Sequence, residues 1–404
     1  MEWNKKMAVT GPSVYRGRHY RQGRPIEVRC ENGLIAEIRD AGDTGNTADN
    51  GENGSLYWIA PGLVDLQVNG YGGIDLNREP LNPKEFYGLI HTLWSLGVTS
   101  FLPTVITNEP SAMGRLLASL NEAIVAAGAN KSLGASVPGI HLEGPFISPQ
   151  DGPRGAHGKT WVMPPDIERL EEWHRLSGER LRIVTFSPEW PASEALARWC
   201  GRRNIVASIG HTAADGDQIR AAVKAGAALS THLGNGAHPV LPRHPNYIWE
   251  QMANDDLVAC VIADGFHLSE AVLKTIYRAK AGRMLLVSDS VAVAGLPAGR
   301  YHSPVGGDVV LSQEGKLYLA EDERLLAGSA KPLIKGVEHL ASIGLCDWQE
   351  AWEMASVGPA RTLGIPAGQG LAEGAPADFV LMETNGLCFS IKQTVKRGQP
   401  VYGG

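Results

Sequence analysis

A chain of 404 residues exceeds one average domain and has room for a large barrel plus a smaller module. Its hydrophobic content of 43% and charged content of 20% are those of a soluble globular protein, not of a disordered or fibrous one. A formal net charge of -6 leaves no basic footprint, which excludes nucleic acid as a partner. The cysteines Cys30, Cys200, Cys260, Cys346 and Cys388 are scattered, without a C-x-x-C pair, as in a reduced cytoplasmic protein. Met1 is followed by polar residues without an apolar leader, and no stretch is long enough to cross a bilayer, so neither secretion nor a membrane partner is expected.

Residues 1–57 read as short strands with turns, since 25–30 and 33–38 alternate apolar and polar, and 43–55 is a Gly-, Asn- and Asp-rich loop. The far end, 377–382 and 390–396, reads the same way. We expect the two termini, 1–57 and 367–404, to build a small β-sandwich-like domain around a larger one at 58–366.

From Trp58 the rhythm changes: an apolar strand ends in Gly, Asn, His or Asp, and a helical pattern follows. The strands are expected at 58–69, 98–104, 137–143, 182–189, 204–211, 227–232, 257–264 and 284–289. Asn82 with Pro83 reads as a helix start, followed by Phe86, Leu89, Ile90, Leu93 and Leu96 at helical spacing. Met113, Leu116, Leu117, Leu120 and Ile124 form a second stripe, and Asp215 opens a third helix. Eight repeats of strand then helix imply an α/β fold of the (β/α)8, or TIM-barrel, type, whose chemistry sits at the carboxyl ends of the strands. Residues 301–324 read as an inserted hairpin.

Three strand ends carry one carboxylate and two imidazoles: Glu143 in Ile140-His-Leu-Glu-Gly-Pro, His211 in Ser208-Ile-Gly-His-Thr and His232 in Leu229-Ser-Thr-His-Leu. Any one alone could be a satisfied polar residue at a strand end. Together they read as three ligands of a divalent cation with the fourth position open, the pattern of a catalytic site. The donor set suits Zn2+ first, with Fe2+ or Co2+ as alternatives. Asp289 ends the eighth strand, placed to act as general base on water and as acid toward a leaving amine.

The segments Pro61-Gly-Leu-Val-Asp-Leu-Gln-Val-Asn-Gly, Gly139-Ile-His-Leu-Glu-Gly-Pro-Phe, Arg154-Gly-Ala-His157, Ser187-Pro-Glu, Gly210-His-Thr, Thr231-His-Leu-Gly-Asn235, Ile262-Ala-Asp-Gly-Phe-His267, Val287-Ser-Asp289, Leu326-Ala-Gly-Ser329 and Gly358-Pro-Ala-Arg361 jointly resemble the amidohydrolase superfamily. Within it they are similar to the N-acetylglucosamine-6-phosphate deacetylases. The resemblance implies hydrolysis of the N-acetyl group of an amino sugar, most simply a phosphorylated one, by a homodimer. Where many members carry His-x-His on the first strand for a second ion, this chain has Gln67-Val68-Asn69, so one ion is implied. By the same resemblance His157, His267, Asn235 and Gly236 face the substrate. The loop after Asn235 departs from the family pattern and lacks its phosphate-binding arginine in register; Arg243 and His244 are the cationic candidates there for an anion, since a guanidinium forks onto phosphate. Other amides, such as an N-acyl amino acid or a cyclic amide, and a non-catalytic descendant are the alternatives.

Overall fold

The computed structural model describes residues 12–42, 56–303 and 307–403; the expected loop at 43–55 lies outside them. Eight parallel strands form one sheet in sequential order. They are Leu63–Val68 (β1), Val98–Ile106 (β2), Ile140–Glu143 (β3), Leu181–Phe186 (β4), Val206–Ile209 (β5), Ala227–Ser230 (β6), Val258–Val261 (β7) and Met284–Leu286 (β8). Helices alternate with them. Pro83–Ser95 is capped by Asn82, whose side chain accepts from Lys84 N. Gly216–Lys224 opens on a capping box in which Asp215 and Gln218 serve each other's backbone amides.

Between β8 and β1 the barrel is closed by single contacts instead of a full ladder. Asn69 N donates to Ser290 O at 2.8 Å, and the buried Asp65 carboxylate accepts from Ser288 N at 3.1 Å and Gln67 N at 3.3 Å. Burial pushes the Asp65 carboxyl up to about 7, and it accepts from two backbone amides.

The strand expected at 58–69 is divided at Gly62, where a Cβ would lie 2.2 Å from the Thr99 side chain. Trp58–Pro61 leaves the barrel and joins the terminal segments, pairing with Phe379–Thr384 and with Ser13–His19 in a seven-stranded sheet. Tyr15, Ile26, Val28, Ile35 and Phe379 form its own apolar core. A buried ion pair fastens this sheet to the barrel: Lys396 Nζ lies 2.8 Å from Asp378 and 3.1 Å from Ser100 Oγ on β2. The expected inserted hairpin is part of a four-stranded antiparallel meander running from Gly299–Ser303 to Asp322–Leu326. Among the described residues no helix is long and apolar enough to cross a membrane.

Candidate metal centre

Strands β4 to β8 end two or three residues before the expected positions. At three of them the backbone turns left-handed at a chemically important residue: φ is 50° at His211, 28° at His232 and 48° at Asp289. Such conformations cost on the order of 1–3 kcal/mol each in a residue other than glycine and persist where the surroundings enforce them, characteristically at functional sites. Here each turn swings a side chain off the strand line toward the barrel mouth.

The three candidate ligands converge. His232 Nε2 lies 3.1 Å from Glu143 Oε1 and 3.0 Å from His211 Nε2, and His211 Nε2 lies 3.4 Å from Glu143 Oε1. All three residues are buried. Three donor atoms drawn this close together, out of water, are the arrangement that a shared positive charge relieves. A tetrahedral ion with bonds of roughly 2.0–2.1 Å holds its donors about 3.3 Å apart, so these side chains fit a divalent cation.

The surroundings reinforce that fit. His211 Nδ1 donates to the Pro153 carbonyl at 2.8 Å, which leaves Nε2 as the lone-pair nitrogen. Loop 152–157 and Gly236 close on the same ring, and a Cβ at Gly236, where φ is 54°, would meet His211 Nδ1 at 2.7 Å. Burial alone would raise the Glu143 carboxyl, but the positive charge it shares with the adjoining His211 and His232 imidazoles holds it well below the usual range. Glu143 Oε1 also accepts from Gln67 Nε2 at 2.9 Å, and Asp289 Oδ1 accepts from Asn69 Nδ2 at 2.7 Å. Two side-chain amides, one on β1 and one just beyond it, therefore donate to these carboxylates. Desolvation at the barrel mouth, followed by the Glu143 charge, pushes the Asp289 carboxyl up to about 6.

His157 also presents a nitrogen within 4.8 Å of donors on Glu143 and His211, and its ring centroid stands 4.5 Å from that of His211. Its Nδ1 is engaged by Thr107 Oγ1 at 2.8 Å, and burial and then His211 lower its pKa to about 3, so it is a neutral imidazole. Of the two candidates for the third ligand, His232 makes the closer approaches, at 3.0 and 3.1 Å.

His267 is oriented by Asp264, whose carboxylate accepts from Nδ1 at 2.8 Å and from the backbone amides of Phe266 and His267. That leaves its Nε2 as the outward-facing nitrogen. Asn235 N donates to His232 O at 2.9 Å, so Asn235 and Gly236 follow the ligand directly in a tight turn. Arg243 and His244 lie exposed on the loop before helix Tyr247–Ala253, where the Arg243 carbonyl accepts from Trp249 Nε1 at 3.2 Å.

Asp65 and Thr107 escape a reading of strand ends alone, and Asp264, an expected strand end, gains its role from the hydrogen bond that orients His267. Asp65 carries a signal, because it is a carboxylate within the apolar run of β1, two residues before Gln67. The i, i+3 pair Asp264 and His267 carries another. A cleft of about 510 Å3 opens at the opposite, amino-terminal end of the barrel, lined in part by Arg21, Met284, Glu353 and Arg361. Arg21 and Tyr20 there are spent on Glu353, each at 2.5 Å, and the convergent Glu143, His211 and His232 lie at the other end.

Comparison with known proteins finds relatives over most of the chain. The model of the amidohydrolase family matches residues 58–401. The chain is 34% identical over 329 residues to an N-acetylglucosamine-6-phosphate deacetylase of Bacillus subtilis (strain 168), covering 81% of each chain. The crystal structure of the deacetylase of that name from Thermotoga maritima superposes with a TM-score of 0.82 at 27% identity, covering 97% of this chain and 100% of that one. A mutant of the Mycobacterium smegmatis enzyme, in complex with N-acetyl-D-glucosamine-6-phosphate, superposes at 0.81 with 26% identity, covering 94% and 95%.

Proposed function

This chain belongs to the amidohydrolase family, and from that premise we propose that it is a metal-dependent deacetylase converting N-acetylglucosamine 6-phosphate to glucosamine 6-phosphate and acetate. The observation that carries the reading is the convergence of Glu143, His211 and His232 to 3.0–3.4 Å beside an Asp289 steadied by Asn69. One divalent cation, Zn2+ by the two-imidazole, one-carboxylate donor set, would be held by these three residues. When bound, it supplies a lowered pKa for water and polarisation of the acetyl carbonyl.

The chain's own residues do the rest. Asn69 occupies Asp289 Oδ1, so the other carboxylate oxygen is the one available to take the proton of the attacking water. Once protonated, Asp289 returns that proton to the amine nitrogen as the C–N bond breaks. His157, neutral and anchored by Thr107, and His267, anchored by Asp264, orient the acyl and sugar groups. Asn235 and Gly236 face the substrate from the turn after His232.

The sign of the pH dependence follows. Asp289 must be ionised to act as base, so kcat/KM is expected to fall about tenfold per pH unit as pH drops below its pKa. That pKa is no higher than about 6, since a neighbouring cation favours the ionised form. A pH–rate profile checks this, and a flat acid side contradicts it.

We assign recognition of the 6-phosphate to Arg243 and His244, with the chain acting as a homodimer. Support comes from the exposure of Val240 (84%) and Trp249 (52%), apolar residues flanking this cationic loop. Replacing Arg243 by Ala is expected to raise KM for the phosphorylated sugar about 10- to 100-fold with little change in kcat. Equal kinetics in the variant would remove Arg243 from the site. The five cysteines are unbridged, in keeping with a cytoplasmic setting. A panel of N-acetylglucosamine 6-phosphate, N-acetylglucosamine and N-acetyl amino acids tests the substrate, and preference for an amino acid would overturn this reading.

A further inference from the structure

Beneath the candidate ligands runs a buried chain of hydrogen bonds that neither the proton transfer nor substrate binding uses. His141 on β3 places Nδ1 3.1 Å from the Leu66 carbonyl and Nε2 2.8 Å from Thr185 Oγ1. Thr185 Oγ1 is 2.7 Å from Thr231 Oγ1, which is 2.5 Å from Ser208 Oγ. All four residues are buried.

The direction of the chain is fixed from one end. A carbonyl can only accept, so His141 Nδ1 carries the proton, and in the neutral ring Nε2 accepts from the Thr185 hydroxyl. Thr185 then accepts from Thr231, and Thr231 accepts from Ser208. One ordered file of donors crosses β3, β4, β5 and the end of β6.

Its members sit where the ligands leave the sheet. His141 precedes Glu143 by two residues on the same face of β3, and Thr185 is the cross-strand partner of both Glu143 and Ser208. Ser208 precedes the left-handed turn at His211, and Thr231 immediately precedes the one at His232. Those two turns are strained conformations, and something must hold the strand ends against them.

We propose that His141, Thr185, Thr231 and Ser208 form a positioning network that sets the spacing of Glu143, His211 and His232 and thereby the affinity for the cation. Outer-shell hydrogen bonds of this kind are typically worth about 10- to 100-fold in metal affinity. The proposal rests on the assignment of those three residues as ligands.

The test is competition between the purified protein and a chromophoric chelator for Zn2+. Wild type against Glu143→Gln reports the ligand assignment by itself, since the wild type should bind one equivalent that this variant loses. Thr231→Val keeps the shape and removes the hydroxyl, whereas Thr231→Ser keeps the hydroxyl. Thr231→Val is expected to weaken Zn2+ binding by about tenfold or more, with Thr231→Ser within about threefold of wild type. A purely structural role would lower the melting temperature of the metal-free protein and leave Zn2+ affinity unchanged, and that result would overturn the proposal. Thr185→Val against Thr185→Ser gives the same comparison should Thr231→Val fail to fold.

Discussion

Replacement of Asp289 by Asn is expected to lower kcat about 10^2- to 10^4-fold while leaving the metal content at one ion per chain. The substitution isolates the proton-transfer role because little else changes. Asp289 adopts φ of 48°, a left-handed conformation that Asn tolerates as well as any residue other than glycine, so the turn after β8 should survive. The amide oxygen can still accept from Asn69 Nδ2, now at 2.7 Å from Oδ1, so the side chain keeps its orientation. What disappears is the carboxylate oxygen that takes the proton and gives it back. Steady-state kinetics with elemental analysis of the same preparation checks the outcome. Turnover near that of wild type would remove Asp289 from its role, and loss of the metal would move it from proton transfer to ligation.

The second large effect is expected at Glu143. Glu143→Gln preserves volume on β3, but it removes the negative charge shared with His211 and His232. It also sets the new amide against Gln67 Nε2, which now donates to Glu143 Oε1 at 2.9 Å. If the new side chain turns its oxygen to Gln67, its NH2 group faces the ion. If it turns the other way, two donors oppose each other in a buried site, at a cost of about 1–3 kcal/mol. Metal affinity should therefore fall more than about 100-fold, beyond the range of outer-shell changes, and activity should go with it. Excess Zn2+ should restore activity only in part. A Glu143→Gln protein that retains one tightly bound ion through dialysis against chelator would show that Glu143 is not a ligand.

Much of this site could be read from residue order because a strand ending in a polar residue is a local pattern. Ile140-His-Leu-Glu, Ile209-Gly-His and Ser230-Thr-His each declare one position, and the parallel barrel brings those positions to a common mouth. The strands end earlier than residue order implies, because the backbone has already left the ladder at Gly210 and Thr231 for the left-handed turns at His211 and His232. Nothing in a histidine announces a positive φ.

Trp58 to Asn69 reads as one apolar run for a similar reason. The close approach of Thr99 to Gly62 marks the place where the chain passes from one sheet to the other. The partners that complete the site, Pro153 for His211 and Thr107 for His157, lie 58 and 50 residues away in sequence. Contacts of that range follow from how loops fold over the barrel, which no local periodicity encodes. The loop bearing Arg243 and His244 is the least legible part, since exposed cations are common and their partner is a ligand.

The most direct test of the central claim is anomalous diffraction at the metal absorption edge from crystals of the metal-loaded protein. A single peak bounded by Glu143, His211 Nε2 and His232 Nε2, with His157 outside bonding distance and one position open on the side of Asp289, is the predicted result. Two ions, a peak elsewhere, or an ion closed off by His157 as a fourth protein donor would contradict it.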